Sequence, residues 1–172
     1  EIGAWETTWR PYEYAAAVEA VHRAIARGDV YQVNLVQHLS APFSGDAAAL
    51  ARPLSTLRPL HPEPYAGDDW TVVSASPELF LERRGEVLRT KPIKGTRPLD
   101  AADELEGSEK DAAEHVMIVD LERNDLSRVC RAGSIRWPEL MATGELAGVE
   151  HMVSTVEGTV RAGVGLAEIL EA

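Results

Sequence analysis

The sequence predicts a mixed fold of helices and β-hairpins, and two observations carry that reading. An apolar stripe with helical period runs through residues 11–27, and period-two segments cluster around turn residues at 79–90 and recur over 149–160. Strands and helices do not alternate regularly, so a doubly wound parallel sheet is disfavoured. A length of 172 residues is enough for one domain with a substantial core, and a composition of 45% hydrophobic and 26% charged residues is ordinary for a globular chain.

Charge and cysteine content narrow the partners and the compartment. A formal net charge of −11 argues against nucleic acid or an anionic membrane as partner, and an anionic ligand would need local cations or a metal. The one cysteine, Cys130, cannot form an intramolecular disulfide, so a reducing, cytoplasmic location is expected. No apolar run approaches the roughly 18–20 residues of a membrane span, and no signal peptide is read at the start. The sequence begins at Glu1 without a methionine and stops at Ala172 inside what reads as an amphipathic helix. Both ends therefore read as cuts in a longer protein.

Residues 11–27 form the first expected helix. Tyr14, Val18, Val21 and Ile25 recur at i, i+4, i+7 and i+11, and Gly28 follows as a C-cap. Residues 30–39 then switch to period two, with Gln32, Asn34, Val36 and His38 on a second face that lies on water or on a polar site. Residues 41–64 are a proline-punctuated connection with a helix expected at 47–57. A short β-branched strand over 71–75 ends at Ser76-Pro77-Glu78. Residues 79–84 and 86–90 pair as a hairpin turning at Gly85.

That hairpin delivers the chain into Thr90-Lys91-Pro92-Ile93-Lys94-Gly95-Thr96-Arg97-Pro98, expected as a loop. Pro92 holds φ near −65° and pushes Lys91 toward extended geometry, while Gly95 lets the chain turn and leaves backbone amides open to a ligand. Lys94 is either a solvated loop lysine or a constrained one facing a cleft with Glu78.

Residues 100–107 are expected as an acidic loop. Ser108 caps a helix running to about Arg123, with Asp111 as its acidic partner and Asn124-Asp125 ending it. Glu114, Met117, Ile118 and Leu121 share one face, and Asp111 and His115 share the neighbouring one. Glu114 either reaches water at the stripe's edge or faces a partly buried site, where a carboxylate needs a cation or hydrogen-bond partner. Strands are expected at 134–137 and 149–160. In the second, His151, Val153, Thr155 and Glu157 share one face and Met152, Ser154 and Val156 the other. A helix begins at Leu166. No CxxC, HExxH, Walker loop or GxSxG occurs.

An ordered set of motifs is more specific than any single one. Gly28-Asp29-Val30-Tyr31-Gln32-Val33-Asn34-Leu35, Ser76-Pro77-Glu78, Pro92-Ile93-Lys94-Gly95-Thr96-Arg97, the run from Glu114-His115 through Asp120-Leu121 to Arg123-Asn124-Asp125-Leu126, and Val149-Glu150-His151 with Ser154-Thr155-Val156 together resemble the chorismate-utilising enzymes. The resemblance covers the chain from about Tyr12 to its end. It implies an α+β fold of two facing, mainly antiparallel β-sheets flanked by helices, as in anthranilate synthase component I, incomplete in this chain. Residues 1–172 would be the N-terminal portion of a single chorismate-binding catalytic domain, truncated at both ends.

The resemblance also implies Mg²⁺-dependent chemistry on chorismate, a dicarboxylate. A metal held by carboxylates can bridge a net-negative protein to the ring carboxylate. Glu114 matches the family's Mg²⁺ ligand from this helix. Gly95 and Thr96 match the groups that contact chorismate, and His151 matches an active-site histidine near the C4 side. Glu78 matches the general acid that protonates the departing C4 hydroxyl, a role suited to a carboxyl of raised pKa.

Position 94 discriminates within the family. Lysine there resembles aminodeoxychorismate synthase component I, in which it is proposed to attack C2 as the C4 hydroxyl leaves; anthranilate synthases usually carry alanine. A lysine nucleophile must be neutral. Gln32 supports the same branch, since isochorismate and salicylate synthases carry at that position a lysine that activates water. Ammonia would come from a glutamine amidotransferase subunit or fused domain. Pro62-Glu63-Pro64-Tyr65 weakly resembles a tryptophan-pocket motif, followed by a shortened loop. The family's second half, with further Mg²⁺ ligands and carboxylate-binding groups, is not in this sequence, so the chain alone is expected to be inactive. The rival readings are anthranilate synthase component I and a non-catalytic protein that kept the fold.

Overall fold

The computed structural model describes residues 1–172. The chain divides into two compact units, Glu1–Asp46 and Ala47–Ala172.

In the first unit β1 (Glu6–Thr7) precedes α1 (Pro11–Arg27), and β2 (Leu39–Ser40) pairs antiparallel with β1. Local signals set both ends of α1. Pro11 sits in the first turn, the Glu13 carboxylate accepts from the Arg10 amide at 2.8 Å, and Gly28 closes the helix at φ +79. The strand expected over 30–39 is corrected: only its last residue enters a ladder. The Trp9 indole donates to Val36 O at 3.0 Å, the Thr8 amide donates to His38 O at 3.0 Å, and the Gln37 side chain bonds both Trp9 N and Trp9 O. Alternation gives a segment two faces, but a strand exists only where a neighbouring backbone takes up its N–H and C=O row.

The second unit opens with the expected helical stretch at 47–57, as two 3₁₀ turns (Ala47–Leu50 and Ser55–Leu57) around α2 (Ala51–Leu54). Next β3 (Tyr65–Ala66) pairs with β4 (Thr71–Val72), so the strand expected over 71–75 ends early. The chain continues through β5 (Leu79–Arg84), β6 (Val87–Lys91), β7 (Ile93–Pro98), α3 (Asp103–Glu106), α4 (Glu109–Val129), β8 (Arg136–Leu146), β9 (Val149–Thr159) and α5 (Leu166–Leu170).

These last five strands form one antiparallel sheet with β9 at its centre. Along one edge of β9 run β6 and β7 in a single register: Val87 faces Thr159, Thr90 faces Val156 and Ile93 faces Val153. The register then slips, so that Thr96 faces His151 and the pair Lys94-Gly95 opposes Met152. The expected loop at 90–98 is therefore strand, corrected by its pairing with β9. Pro92 accepts from the Ser154 amide at 3.2 Å but, lacking an N–H, cannot return the bond. Along the other edge lies β8, of which only the start was expected. Its hairpin with β9 turns at Ala147-Gly148, both at positive φ, as a two-residue turn matching strand twist requires.

On one face of the sheet lies α4, and Val119, Leu126 and Val129 from it pack with Leu88 and Val156. The helix runs six residues past its expected end. Asn124 and Asp125 cost about 0.7 kcal/mol each in a helix interior, whereas burying Leu126 and Val129 beyond them returns about 1.5–3 kcal/mol apiece. The expected loop over 100–107 is also helical in part, pinned by Leu105, which is 0% exposed.

The opposite face carries an ion-pair ladder across three strands. Glu157, 4% exposed, accepts from Arg89 at 2.8 Å and Arg136 at 2.7 Å, its register partners on β6 and β8. The Arg89 hydrogen bond is the main cause holding the Glu157 carboxyl below the usual range. Such a group stabilises the fold above the unfolded carboxyl pKa, and the contribution fades as pH falls through the folded one. Glu157→Gln should cost about 1–3 kcal/mol at pH 7; denaturation at pH 7 and below pH 4 should show the wild-type advantage shrinking in acid.

Candidate functional site

The bulge in β7 organises the site. At Gly95 φ is +83, and a Cβ there would sit 2.6 Å from Leu105 Cδ1 and 3.3 Å from Asp111 Cβ. Only glycine lets the strand take this turn while α3 and α4 approach so closely. From α4, Asp111 receives the Arg97 guanidinium at 2.6 Å, and its own amide donates to Ser108 Oγ at 3.2 Å. A hydrogen bond from the Ser108 side chain to the carboxyl, with Arg97, holds Asp111 below its ordinary value.

Behind Lys94 lies a buried relay. His115 is 0% exposed, with Nε2 2.6 Å from Ser154 Oγ and Nδ1 3.5 Å from Lys94 O. Lys94 O can only accept, which asks Nδ1 to donate and leaves Nε2 to accept from the Ser154 hydroxyl, itself an acceptor for the Met141 amide at 2.8 Å. The proton then resides on Nδ1, toward Lys94 O. Burial is the main cause pushing the His115 pKa down, and the Lys94 charge adds to it. A neutral His115 thus ties α4, β9 and the bulge together.

Two further pairs converge on β7. Glu78 Oε1 accepts from the Ile93 amide at 2.8 Å, which brings the expected acid to the start of the strand that bears Lys94. Thr96 Oγ1 lies 2.9 Å from His151 Nδ1, its cross-strand partner. Glu114 is half-buried on α4, one residue before His115. Gln32 is exposed and lies in the first unit, while the other six predicted site residues lie in the second.

Sequence reasoning missed Glu122. It lines a cavity of about 260 Å³ together with Glu78 and Thr90, and its buried Oε2 has no hydrogen-bond partner. Its pKa is pushed up to about 7, chiefly by desolvation and further by the Glu78 and Asp125 carboxylates. The Thr90 hydroxyl, beside the carboxyl but donating to Leu79 O at 3.3 Å, and the Lys94 charge pull the other way. The signal was there: Asp111, His115, Val119 and Glu122, continued by Leu126 and Val129, recur at helical spacing, so three polar groups ride on the core-facing stripe.

Hard carboxylate oxygen suits Mg²⁺, which is held by one or two carboxylates with substrate and water oxygens. Glu114 offers such an oxygen, half-buried on α4; no group of three or more His, Cys, Asp or Glu converges into a cage within these residues. No helix is long and apolar enough to cross a membrane.

A five-stranded antiparallel sheet backed by one long helix, with a lysine at the bulge of one strand, defines an α+β protein. Residues 1–172 match the chorismate binding enzyme family, and the chain belongs to it. It is 40% identical to aminodeoxychorismate synthase component 1 of Bacillus subtilis, over 92% of this chain and 36% of that protein. It is equally 40% identical to an anthranilate synthase component 1 of Haloarcula marismortui, over 92% of this chain and 34% of that protein. Its fold superposes on anthranilate synthase component I from Streptococcus pneumoniae with a TM-score of 0.87 at 28% identity, covering 99% of this chain and 39% of that one. The chain thus spans about a third of the length of the curated relatives it matches.

Two stability outcomes follow from the site. Gly95→Ala should destabilise by about 1–3 kcal/mol, through overpacking against Leu105 and left-handed strain, read by chemical denaturation. His115 has a folded pKa below its unfolded value of about 6.5. Its neutral form therefore supports the fold fully above that pH, and support is lost as pH falls below it. His115→Gln should flatten the slope of melting temperature against pH in the acid range below about 6.5.

Proposed function

We propose that the protein aminates chorismate at C4, giving 4-amino-4-deoxychorismate for 4-aminobenzoate and folate synthesis, with ammonia from a glutamine amidotransferase partner or fused domain. The observation that carries this reading is Lys94 on the β7 bulge, its charge acting on His115 and Glu122 and its strand receiving Glu78 at Ile93. The family contains relatives named for both the 4-amino and the anthranilate reaction, and alanine at this position would have favoured anthranilate.

In the proposed reaction the Lys94 amine bonds to C2. The ring's two double bonds shift by one position each, and the C4–O bond breaks as Glu78 supplies a proton to the leaving hydroxyl. Ammonia then bonds to C4, the double bonds return, and the C2–N bond to Lys94 breaks. The nitrogen ends at C4, water has left, and the lysine is restored. Gly95, through its backbone, and Thr96 would hold the substrate, and His151, 2.9 Å from the Thr96 hydroxyl, would fix that hydroxyl's orientation. Gln32 would leave the water-adding reaction without its base. Glu114 would hold Mg²⁺, with ligands from outside these residues; when bound, the metal polarises the ring carboxylate. A cytoplasmic setting is supported by the one cysteine, reduced and buried in the core.

Lys94→Ala in the full-length protein, assayed with chorismate, ammonia and Mg²⁺, should lower C4 amination by at least about 10²-fold. Unchanged amination would sink the nucleophile role. Formation of fluorescent anthranilate by the wild type, without added lyase, would establish the anthranilate reading instead.

A further inference from the structure

The Lys94–Gly95 peptide joins two groups assigned to the substrate, the side chain that attacks C2 and the glycine backbone that binds the ring. Every peptide bond in the chain is trans, so the Lys94 carbonyl and the Gly95 N–H point in opposite directions from one plane. A donor that holds the carbonyl on one side therefore sets where the N–H points on the other. Gly95, at φ +83, has no Cβ to restrict that plane, so the restraint must come from outside the strand. His115 supplies it: Nδ1 lies 3.5 Å from Lys94 O, on a side chain that is 0% exposed.

The imidazole is itself held. Its Nε2 is 2.6 Å from Ser154 Oγ, and that oxygen accepts from the Met141 amide at 2.8 Å. Met141 is a non-glycine residue at φ +51, between the paired Glu139 and Ala142 where β8 slips against β9. Left-handed backbone at a methionine is uncommon and persists where its surroundings over-determine it. Here it accompanies an amide aimed at the Ser154 side chain. The series Met141 N–H, Ser154 O–H and His115 Nδ1–H ends on Lys94 O, each bond polarising the next. One turn earlier on α4, Asp111 takes Arg97, so the helix grips the bulge on both sides of Gly95.

We propose that His115 is a positioning residue for the reaction. It holds Lys94 O and so orients the Lys94–Gly95 peptide toward chorismate, with Ser154 and the Met141 amide fixing the tautomer this requires. The assignment rests on the reading above, in which Lys94 and Gly95 face the substrate. His115 acts through that peptide alone, since its ring is enclosed and both nitrogens are engaged.

The test is steady-state kinetics of the full-length protein with chorismate, ammonia and Mg²⁺. Asparagine places an amide nitrogen where Nδ1 lies and can still donate to Lys94 O. Glutamine reaches the Nε2 position and can still accept from Ser154, but leaves Lys94 O without its donor. His115→Gln should lower kcat about 10²-fold, the loss expected when a reacting group is misplaced by roughly 1 Å. It should also raise KM for chorismate about threefold or more, while His115→Asn keeps both constants within about threefold of the wild type. A purely structural role would shrink the folded fraction, which lowers kcat and leaves KM where it was. Ser154→Ala removes one oxygen and leaves the ring in place; it should move kcat and KM in the direction of His115→Gln, by a smaller factor.

Equal losses in His115→Asn and His115→Gln overturn the assignment, and so does a lowered kcat with KM unchanged in both. If neither histidine variant folds, Ser154→Ala decides, and wild-type kcat and KM there overturn it. If Lys94→Ala and Thr96→Val impair turnover while His115→Gln does not, the site reading stands and the His115 assignment alone falls. If Lys94→Ala and Thr96→Val both keep wild-type kcat and KM, the site reading fails first and takes this one with it.

Discussion

The pairing of residues 87–98 with β9 is the constraint on which the rest of the second unit depends. It runs in one register from Val87 to Ile93, loses a donor at Pro92 and slips by one residue at Lys94-Gly95. Because β8 takes the other edge of β9, the central strand has backbone partners on both sides, and its side chains are free to serve two faces. One face receives α4 and becomes the core; the other carries the Arg89–Glu157–Arg136 ladder. The slip is what re-aims the chain. A strand in perfect register would alternate Lys94 with its neighbours, whereas two residues opposing Met152 put the lysine and the left-handed glycine side by side.

Helix α4 answers that irregularity with three polar groups on its buried stripe, each satisfied differently. Asp111 is paired with Arg97, across the carbon-to-carbon approach that Gly95 permits. His115 stays neutral between a serine hydroxyl and a carbonyl, which avoids burying a charge. Glu122 finds no partner for one oxygen and answers by holding its proton more tightly. A helix serving only as core would carry apolar residues at these positions.

The family's chemistry gives this arrangement a division of labour. In the proposed reaction the Gly95 backbone and the Thr96–His151 pair would recognise the ring, and Lys94 would be the residue on which the choice among reactions turns. The close identity to relatives named for two different activities fits that picture, since a change confined to one strand position need leave little trace on the fold.

Sequence alone determined what depends on near neighbours. Helix α1 is bounded as expected because Pro11, Glu13 and Gly28 act within a turn of the ends they set, and the hairpin at Gly85 is equally local. The ordered motifs placed Glu78, Lys94, Thr96, Glu114 and His151 in one family pattern, and with it the α+β class. Tertiary structure decided whatever hangs on distant pairing. Residues 30–39 alternate like a strand yet find side chains in place of a ladder, while 90–98, punctuated like a loop, becomes strand because β9 lies beside it. Burial of Leu126 and Val129 carries α4 through Asn124-Asp125, and the packing of the helix, not its length, puts Glu122 against the cavity it lines with Glu78 and Thr90. Periodicity reports which residues can share a face; only packing says what that face meets.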